Sequence, residues 1–197
     1  VFFLTAYNLS IGLFSNEKDT VSSSIHSGRT DSRWNRLAGP LFLTYFFRCT
    51  EEKDQTVPEL LKKNGKQIMD TMRCYISNLH ADEMFFQYQG DIVNLNTVGG
   101  YPAKREHLQL DSLPFHLQVF TDDRGYYYEL RYWENRFDTR QLHDFLTVME
   151  SLMDAMQEET LVRRLSRRLP DRLFPLHYTI TVGELNQAAK GQLVTGV

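Results

Sequence analysis

The residue best suited to chemistry is Arg29, in the tripeptide Ser27-Gly28-Arg29 that follows a β-prone polar stretch, residues 21–26. A planar guanidinium can hold a carboxylate through two parallel hydrogen bonds, which fixes both the position and the angle of the pair. Arg29 could serve in this way, or it could cap the end of its own strand. Both interpretations remain open from the residues alone.

The six histidines are the next candidates, because histidine is the usual base near neutral pH. No two are adjacent, and the sequence has no H-x-x-x-D-G, G-x-S-x-G, P-loop or G-x-G-x-x-G motif. His116 lies in a predicted strand, where a hydrogen-bonded structural role is favoured over that of a base. We predict no catalytic residue, no metal site and no directly bound cofactor.

A third candidate is a basic amphipathic helix predicted over residues 161–169. Four arginines lie along one side of it: Arg163, Arg164, Arg167 and Arg168. Such a stripe could dock an acidic partner by charge complementarity. The alternative is a solvated helix face beside Glu158 and Glu159.

Composition excludes several classes of protein. Apolar residues at 42% and aromatic residues at 13% are typical of a folded domain, and the net charge of −3 gives no chain-wide reason to expect nucleic acid. No apolar run is long enough to span a membrane. Cys49 and Cys74 make no disulfide framework, which favours a reducing cytoplasm and buried free thiols.

Elements in the first half of the chain must position Arg29. Residues 1–16 are apolar on nearly every side and predict an internal helix. Residues 21–26 and 41–49 predict two core strands, and the second is apolar enough to be covered on both faces. Thr56 and Glu59 form a capping box at the start of an amphipathic helix that extends to residue 78.

The second half predicts more strands and one long helix. Residues 84–88 indicate a strand with a bulge at Gly90, and residues 114–133 indicate a β-hairpin. After Asp138, apolar residues recur at i, i+3, i+4 and i+7, which predicts a helix. Strands followed by covering helices, without regular βαβ alternation, indicate an α/β two-layer sandwich with a mixed β-sheet.

This ordered set resembles the carboxy-terminal lobe of the condensation domain of nonribosomal peptide synthetases, within the chloramphenicol-acetyltransferase-like superfamily. The resemblance rests on Ser27-Gly28-Arg29, on the strand that closes with Arg48, and on the "Y-x-x-x-x-F-D" pattern at 132–138. It covers residues 1–157 and implies a half-domain of that fold. Residues 158–197 would then be a helical extension or a linker to the next domain.

The resemblance implies amide-bond formation between acyl and aminoacyl groups presented as thioesters on the phosphopantetheine of carrier proteins. In that family an H-H-x-x-x-D-G motif in the amino-terminal lobe carries the catalytic histidine, which would lie outside this chain. Arg29 matches the arginine that faces the aspartate of the motif. The lobe would contribute a channel wall, and the stripe at 163–168 would dock the carrier.

The amino end suggests a fragment, because the sequence begins inside the apolar stretch VFFLTAY. We therefore expect the chain alone to be inactive. We also expect an apolar face on residues 1–14, built for the amino-terminal lobe, to promote self-association.

Two departures from the family pattern keep other functions open. His116 stands where the family has the aspartate of an F-D-L triplet, and residues 79–83 replace a longer segment. The first alternative is a non-catalytic lobe that binds a carrier or another partner protein. The second is part of an acyltransferase of the same superfamily that uses coenzyme A thioesters.

Overall fold

The computed structural model describes residues 1–29, 32–39, 41–73, 84–90, 97–98, 100–102, 113–122 and 125–169. Its helices are α1 (Phe2–Ser15), α2 (Val57–Arg73) and α3 (Thr139–Glu158), with short 3₁₀ helices at Ser32–Arg36 and Val162–Arg168. Its strands are β1 (Asp19–His26), β2 (Leu43–Thr50), β3 (Met84–Gly90), β4 (Thr97–Val98), β5 (Tyr101–Pro102), β6 (Phe115–Asp122) and β7 (Gly125–Tyr132). The predictions for 74–83 and 170–197 lie outside the described residues.

Five strands form one sheet in the order β2-β1-β3-β6-β7. Strand β3 is parallel to both β1 and β6, whereas β6 and β7 form an antiparallel hairpin. The register between β3 and β6 shifts between Tyr88 and Gly90, and Gly90 has a φ of 55°, so the predicted bulge is confirmed. The α/β class and the mixed sheet are confirmed as well.

Strand β2 corrects one prediction. It lies at one end of the order of the described strands, and its side chains alternate: Tyr45, Phe47 and Cys49 are buried, while Arg48, between the last two, is exposed. One face of the strand is therefore buried, and the prediction of cover on both faces is wrong. An apolar run alone does not distinguish an edge strand from a central strand, because position in the sheet is set by distant pairing partners.

The start of α2 has the predicted capping box. The backbone N–H and the hydroxyl of Thr56 donate to Oε2 of Glu59 at 2.9 and 2.7 Å, and the Glu59 N–H donates back to the Thr56 hydroxyl at 3.3 Å. Free N–H groups of the first helical turn are thereby satisfied. These contacts lower the pKa of the Glu59 carboxyl.

The chain divides into two compact units, residues 1–21 with 48–67 and 139–197, and residues 22–47 with 68–138. In the first unit α1 packs against α3, and the ring of Phe145 meets those of Tyr7 and Phe14 edge to face. The predicted apolar face of α3 is buried, and it includes Leu142, Met149 and Met156. The second unit contains most of the sheet.

Helix α1 is internal, as predicted, and eight of its 14 residues are buried. Asn16 ends it in the left-handed conformation, and at Gly12 an added Cβ would lie 2.6 Å from the Glu17 carbonyl oxygen. Among the large apolar residues at 1–14, only Val1 is exposed. The prediction of an exposed apolar face on residues 1–14 is therefore wrong, because the helix is already covered within its own unit.

None of the helices of the described residues is long and apolar enough to cross a membrane.

Candidate functional site

The turn that carries Arg29 is fixed by Gly28. Gly28 has a φ of 68°, and a Cβ added there would lie 1.7 Å from the Leu41 carbonyl oxygen. Only glycine fits such a close approach of two backbone segments. The Gly28 N–H donates to Nδ1 of His26 at 3.0 Å, and the Arg29 N–H donates to the Ser27 hydroxyl at 3.3 Å. These contacts fix the backbone at Arg29, and hence the position from which its side chain extends, just beyond the end of β1.

Only one of the two terminal nitrogens of the Arg29 guanidinium donates hydrogen bonds to neighbouring described residues. Its Nη2 donates to the carbonyl oxygen of Leu37 at 3.0 Å and approaches that of Gly39 at 3.5 Å. Its Nη1 is buried and has no hydrogen-bond partner among the described residues. The structure thus supports a local capping role, and it leaves one buried donor available for an acceptor such as a carboxylate.

Exposed apolar side chains lie in the segment between β1 and β2, whose backbone Arg29 contacts. Trp34 of the first 3₁₀ helix is 41% exposed, Leu37 is 51% exposed and Phe42 is 60% exposed. Sequence reasoning missed this group, although Trp34 and Leu37 are large apolar residues in a polar stretch and were a usable signal. Exposed apolar residues close together in sequence are typical of a surface that another element covers.

Arg48 has a local partner. Its Nε and Nη2 donate to the two carboxylate oxygens of Asp19 at 2.8 and 2.5 Å, on the exposed face at the sheet edge. Arg48 is therefore part of a structural ion pair at the end of its strand.

His116 lies within a buried polar group on neighbouring strands. The side chain is 6% exposed, its Nε2 is 3.2 Å from Oε1 of Gln87, and its ring meets Phe85 edge to face. Gln118, two residues further along β6, donates to the same Gln87 oxygen at 2.8 Å. The preferred interpretation, a hydrogen-bonded strand histidine, is confirmed. Sequence reasoning missed both glutamines, because their partnership depends on the pairing of β3 with β6.

No protein-family model matches the chain, and no curated protein matches it either. Solved structures do match. The holo form of AB3403, a four-domain nonribosomal peptide synthetase bound to AMP and glycine, has a TM-score of 0.64 at 11% identity, over 80% of this chain and 14% of that one. The starter condensation domain of the rhizomide synthetase RzmA has a TM-score of 0.63 at 13% identity, over 81% and 41%. The epimerization domain TycB3(E) of tyrocidine synthetase B has a TM-score of 0.62 at 13% identity, over 85% and 42%.

The chain has the fold of a condensation-domain lobe. It spans less than half the length of each of these three structures.

The arginines of the second 3₁₀ helix have acidic neighbours. Arg163 pairs with Asp54 at 3.1 Å, and Arg164 lies 3.8 Å from Glu159; both arginines remain more than half exposed. Arg167 is exposed, and Arg168 belongs to the same helix. The predicted helix is confirmed as a 3₁₀ helix, whose period of three buries Val162 and Leu165. Carrier docking by the four arginines stays a prediction.

The thiol of Cys49 lies in surroundings that disfavour its reactive thiolate form. Cys49 is a buried free cysteine, and burial raises its pKa to about 11. Its sulfur accepts a contact of 3.6 Å from the side-chain amide of Asn64. Among the described ranges, no three histidine, cysteine or acidic residues are grouped closely enough to hold a metal ion.

Proposed function

We propose that this chain is the carboxy-terminal lobe of a domain that forms amide bonds between acyl groups held as thioesters on carrier proteins. The fold shared with synthetase domains supports this proposal at the level of architecture. The observation that carries it to a site is Arg29: its Nη1 is buried without a partner among the described residues, at the end of a core strand. A donor in that state is suited to a carboxylate supplied by another element.

The reaction needs a base beside the attacking amine and a donor for the oxyanion that forms at the thioester carbonyl. As the amine nitrogen bonds to that carbon, it loses a proton, and the carrier thiol leaves. We assign the base to a histidine of an amino-terminal lobe that bears the H-H-x-x-x-D-G motif. Arg29 would act as a positioning residue, because it would hold the aspartate of that motif and hence the loop that presents the histidine.

Carrier proteins would present the substrates on phosphopantetheine, so the lobe itself needs no bound cofactor. We assign carrier docking to the arginines at 163–168, since Arg163, Arg164 and Arg167 are exposed. The ion pair of Arg163 with Asp54 is a surface pair, since both side chains are more than half exposed, and such a pair is weak enough to exchange for an acidic carrier helix.

His116 favours a second candidate function. His116 occupies the position where the family has an acidic residue, and its ring is committed to Gln87 and Phe85. If that acidic residue serves the reaction in the family, this lobe would bind a carrier or another partner protein without catalysing condensation.

Amide formation by the intact domain, with this chain joined to its amino-terminal lobe, tests the proposal. Donor and acceptor are loaded on separate carrier proteins, and the product is measured by mass spectrometry. We expect product from the intact domain, none from this chain alone, and none when the second histidine of the motif becomes alanine. Carrier binding without any product would support the second candidate and overturn the first.

Carrier docking is tested on the same domain. Arg163→Glu should raise KM for the carrier-bound acceptor while kcat changes little, and adding Arg167→Glu should raise it further. Arg48→Glu is the matched control, because it reverses an equally exposed arginine at the sheet edge. An equal effect of both substitutions would show that general charge, and not this helix, governs docking.

A further inference from the structure

A small cavity lies within the first compact unit, between α1, α3, the segment that follows β2, and the second 3₁₀ helix. Its volume is about 50 Å³, and most of the residues that line it are apolar. These apolar residues, all buried except the half-buried Leu13, are Leu9, Leu13, Leu152, Val162 and Leu165. A concave apolar wall with a few polar groups is the usual form of a small-molecule site.

Two polar residues, Glu51 and Ser166, complete the lining of the cavity. Glu51 directly follows β2, and its backbone N–H donates to the carbonyl oxygen of Lys18 at 2.9 Å, which fixes the point from which its side chain extends. Neither the Glu51 carboxylate nor the Ser166 hydroxyl makes a hydrogen bond or a direct ion pair within the described part of the chain. The cavity therefore combines apolar walls with two groups that can accept hydrogen bonds from a ligand.

The surroundings of Glu51 are mainly apolar. Burial raises the pKa of its carboxyl, and the positive charge of Lys18 lowers it by a smaller amount. Lys18 is exposed and does not line the cavity, so its attraction for the carboxylate acts through solvent and is screened. Lys18 is therefore only a weak competitor for a cation that lies inside the cavity mouth beside Glu51.

We propose that this cavity binds a small primary alkylammonium ion, with its alkyl group against the apolar wall and its ammonium group beside Glu51 and Ser166. An ammonium group carries a positive charge and three donors, which match a carboxylate and a hydroxyl oxygen. A cavity of about 150 Å³ can hold benzene, so one of about 50 Å³ has room for an alkyl group of about two or three carbons. The proposal goes beyond the function in condensation and does not depend on it.

Titration of the full 197-residue chain with propylammonium chloride at pH 7 tests this inference, with amide NMR spectra and thermal unfolding as readouts. We expect saturable shifts of amide signals around the cavity and a rise in Tm, because a ligand that binds the folded state stabilises it. So small a ligand binds weakly, and the titration must extend through millimolar concentrations. Potassium chloride at equal ionic strength is the salt control. Propanol, which has a similar shape without the charge, should bind about tenfold more weakly or less.

Substitutions at the cavity separate the contributions of charge and shape. Glu51→Gln should weaken propylammonium binding about tenfold or more, because the ammonium group loses its charged acceptor. Glu150→Gln is the matched control, since it removes the same charge from an exposed position on α3 and should leave binding unchanged. Leu13→Phe should abolish binding, because the larger side chain fills the cavity from a half-buried position.

Circular dichroism checks that each variant is folded. If Leu13→Phe does not fold, the comparisons with propanol and with Glu51→Gln still decide the question. Shifts no different from those caused by potassium chloride, propanol binding as strong as that of propylammonium, or full binding by Glu51→Gln would each overturn the proposal.

Discussion

Replacing Arg29 by alanine should have different effects in this chain alone and in the intact domain. In the chain alone, the structure gives the guanidinium one well-formed hydrogen bond, to the Leu37 carbonyl at 3.0 Å, and a longer contact to that of Gly39. Both lie at the surface, so Arg29→Ala should lower the free energy of unfolding by only about 1 kcal/mol.

The intact domain should lose more, because there Nη1 would hold the aspartate of the motif. Breaking one side of a buried ion pair typically costs about 3–5 kcal/mol, since the remaining charge is left buried without its partner. Arg29→Lys should recover only part of this loss and only part of the turnover, because an ammonium group cannot make the two-point contact.

Urea unfolding of the chain and of the intact domain measures both losses. A double-mutant cycle with the motif aspartate changed to asparagine isolates the pair, and the double variant should lose less than the sum of the single variants. Arg48→Ala is the control, because that arginine has its own partner in Asp19 on the exposed face. It should leave turnover unchanged.

An additive cycle would refute this reasoning. So would an equal loss of about 1 kcal/mol in the chain and in the domain, with full turnover per folded molecule. Arg29 would then be a cap for its own strand and no part of the site.

Three further predictions concern the stability and reactivity of the lobe. Thr56→Ala should cost about 1 kcal/mol in urea unfolding, whereas Thr56→Ser should be nearly neutral; because the cap lowers the pKa of Glu59, its contribution should be lost as the pH falls through that lowered value. Burial raises the pKa of Cys49 from 9.0 to about 11, so near pH 8 its thiolate fraction should be about a hundredfold smaller than that of an exposed cysteine. In a Cys74→Ser background, alkylation of Cys49 should therefore be slow until urea unfolds the chain. Burial raises the pKa of Glu51, so Glu51→Gln should raise the Tm at pH 7, and the gain should vanish at a pH low enough to protonate the carboxyl in both the folded and the unfolded chain; an unchanged Tm at pH 7 would contradict the assigned burial.

The local sequence determined the elements whose contacts join residues that are close together in the chain. The capping box at Thr56 needs only residues three apart, so its pattern predicted its contacts. The hairpin at 114–133 and the helix after Asp138 follow from periodicity for the same reason. Ser27-Gly28-Arg29 likewise marked the one arginine whose guanidinium retains a buried donor without a partner among the described residues.

Strand order was decided only in the tertiary structure. Whether a strand is central or at an edge depends on partners tens of residues away, which a local apolar pattern does not encode. For this reason the cover on both faces of β2 was predicted wrongly, and the polar contacts of His116 with Gln87 were invisible in the sequence. The position of β7 at the other end of the described strand order was likewise decided by tertiary pairing.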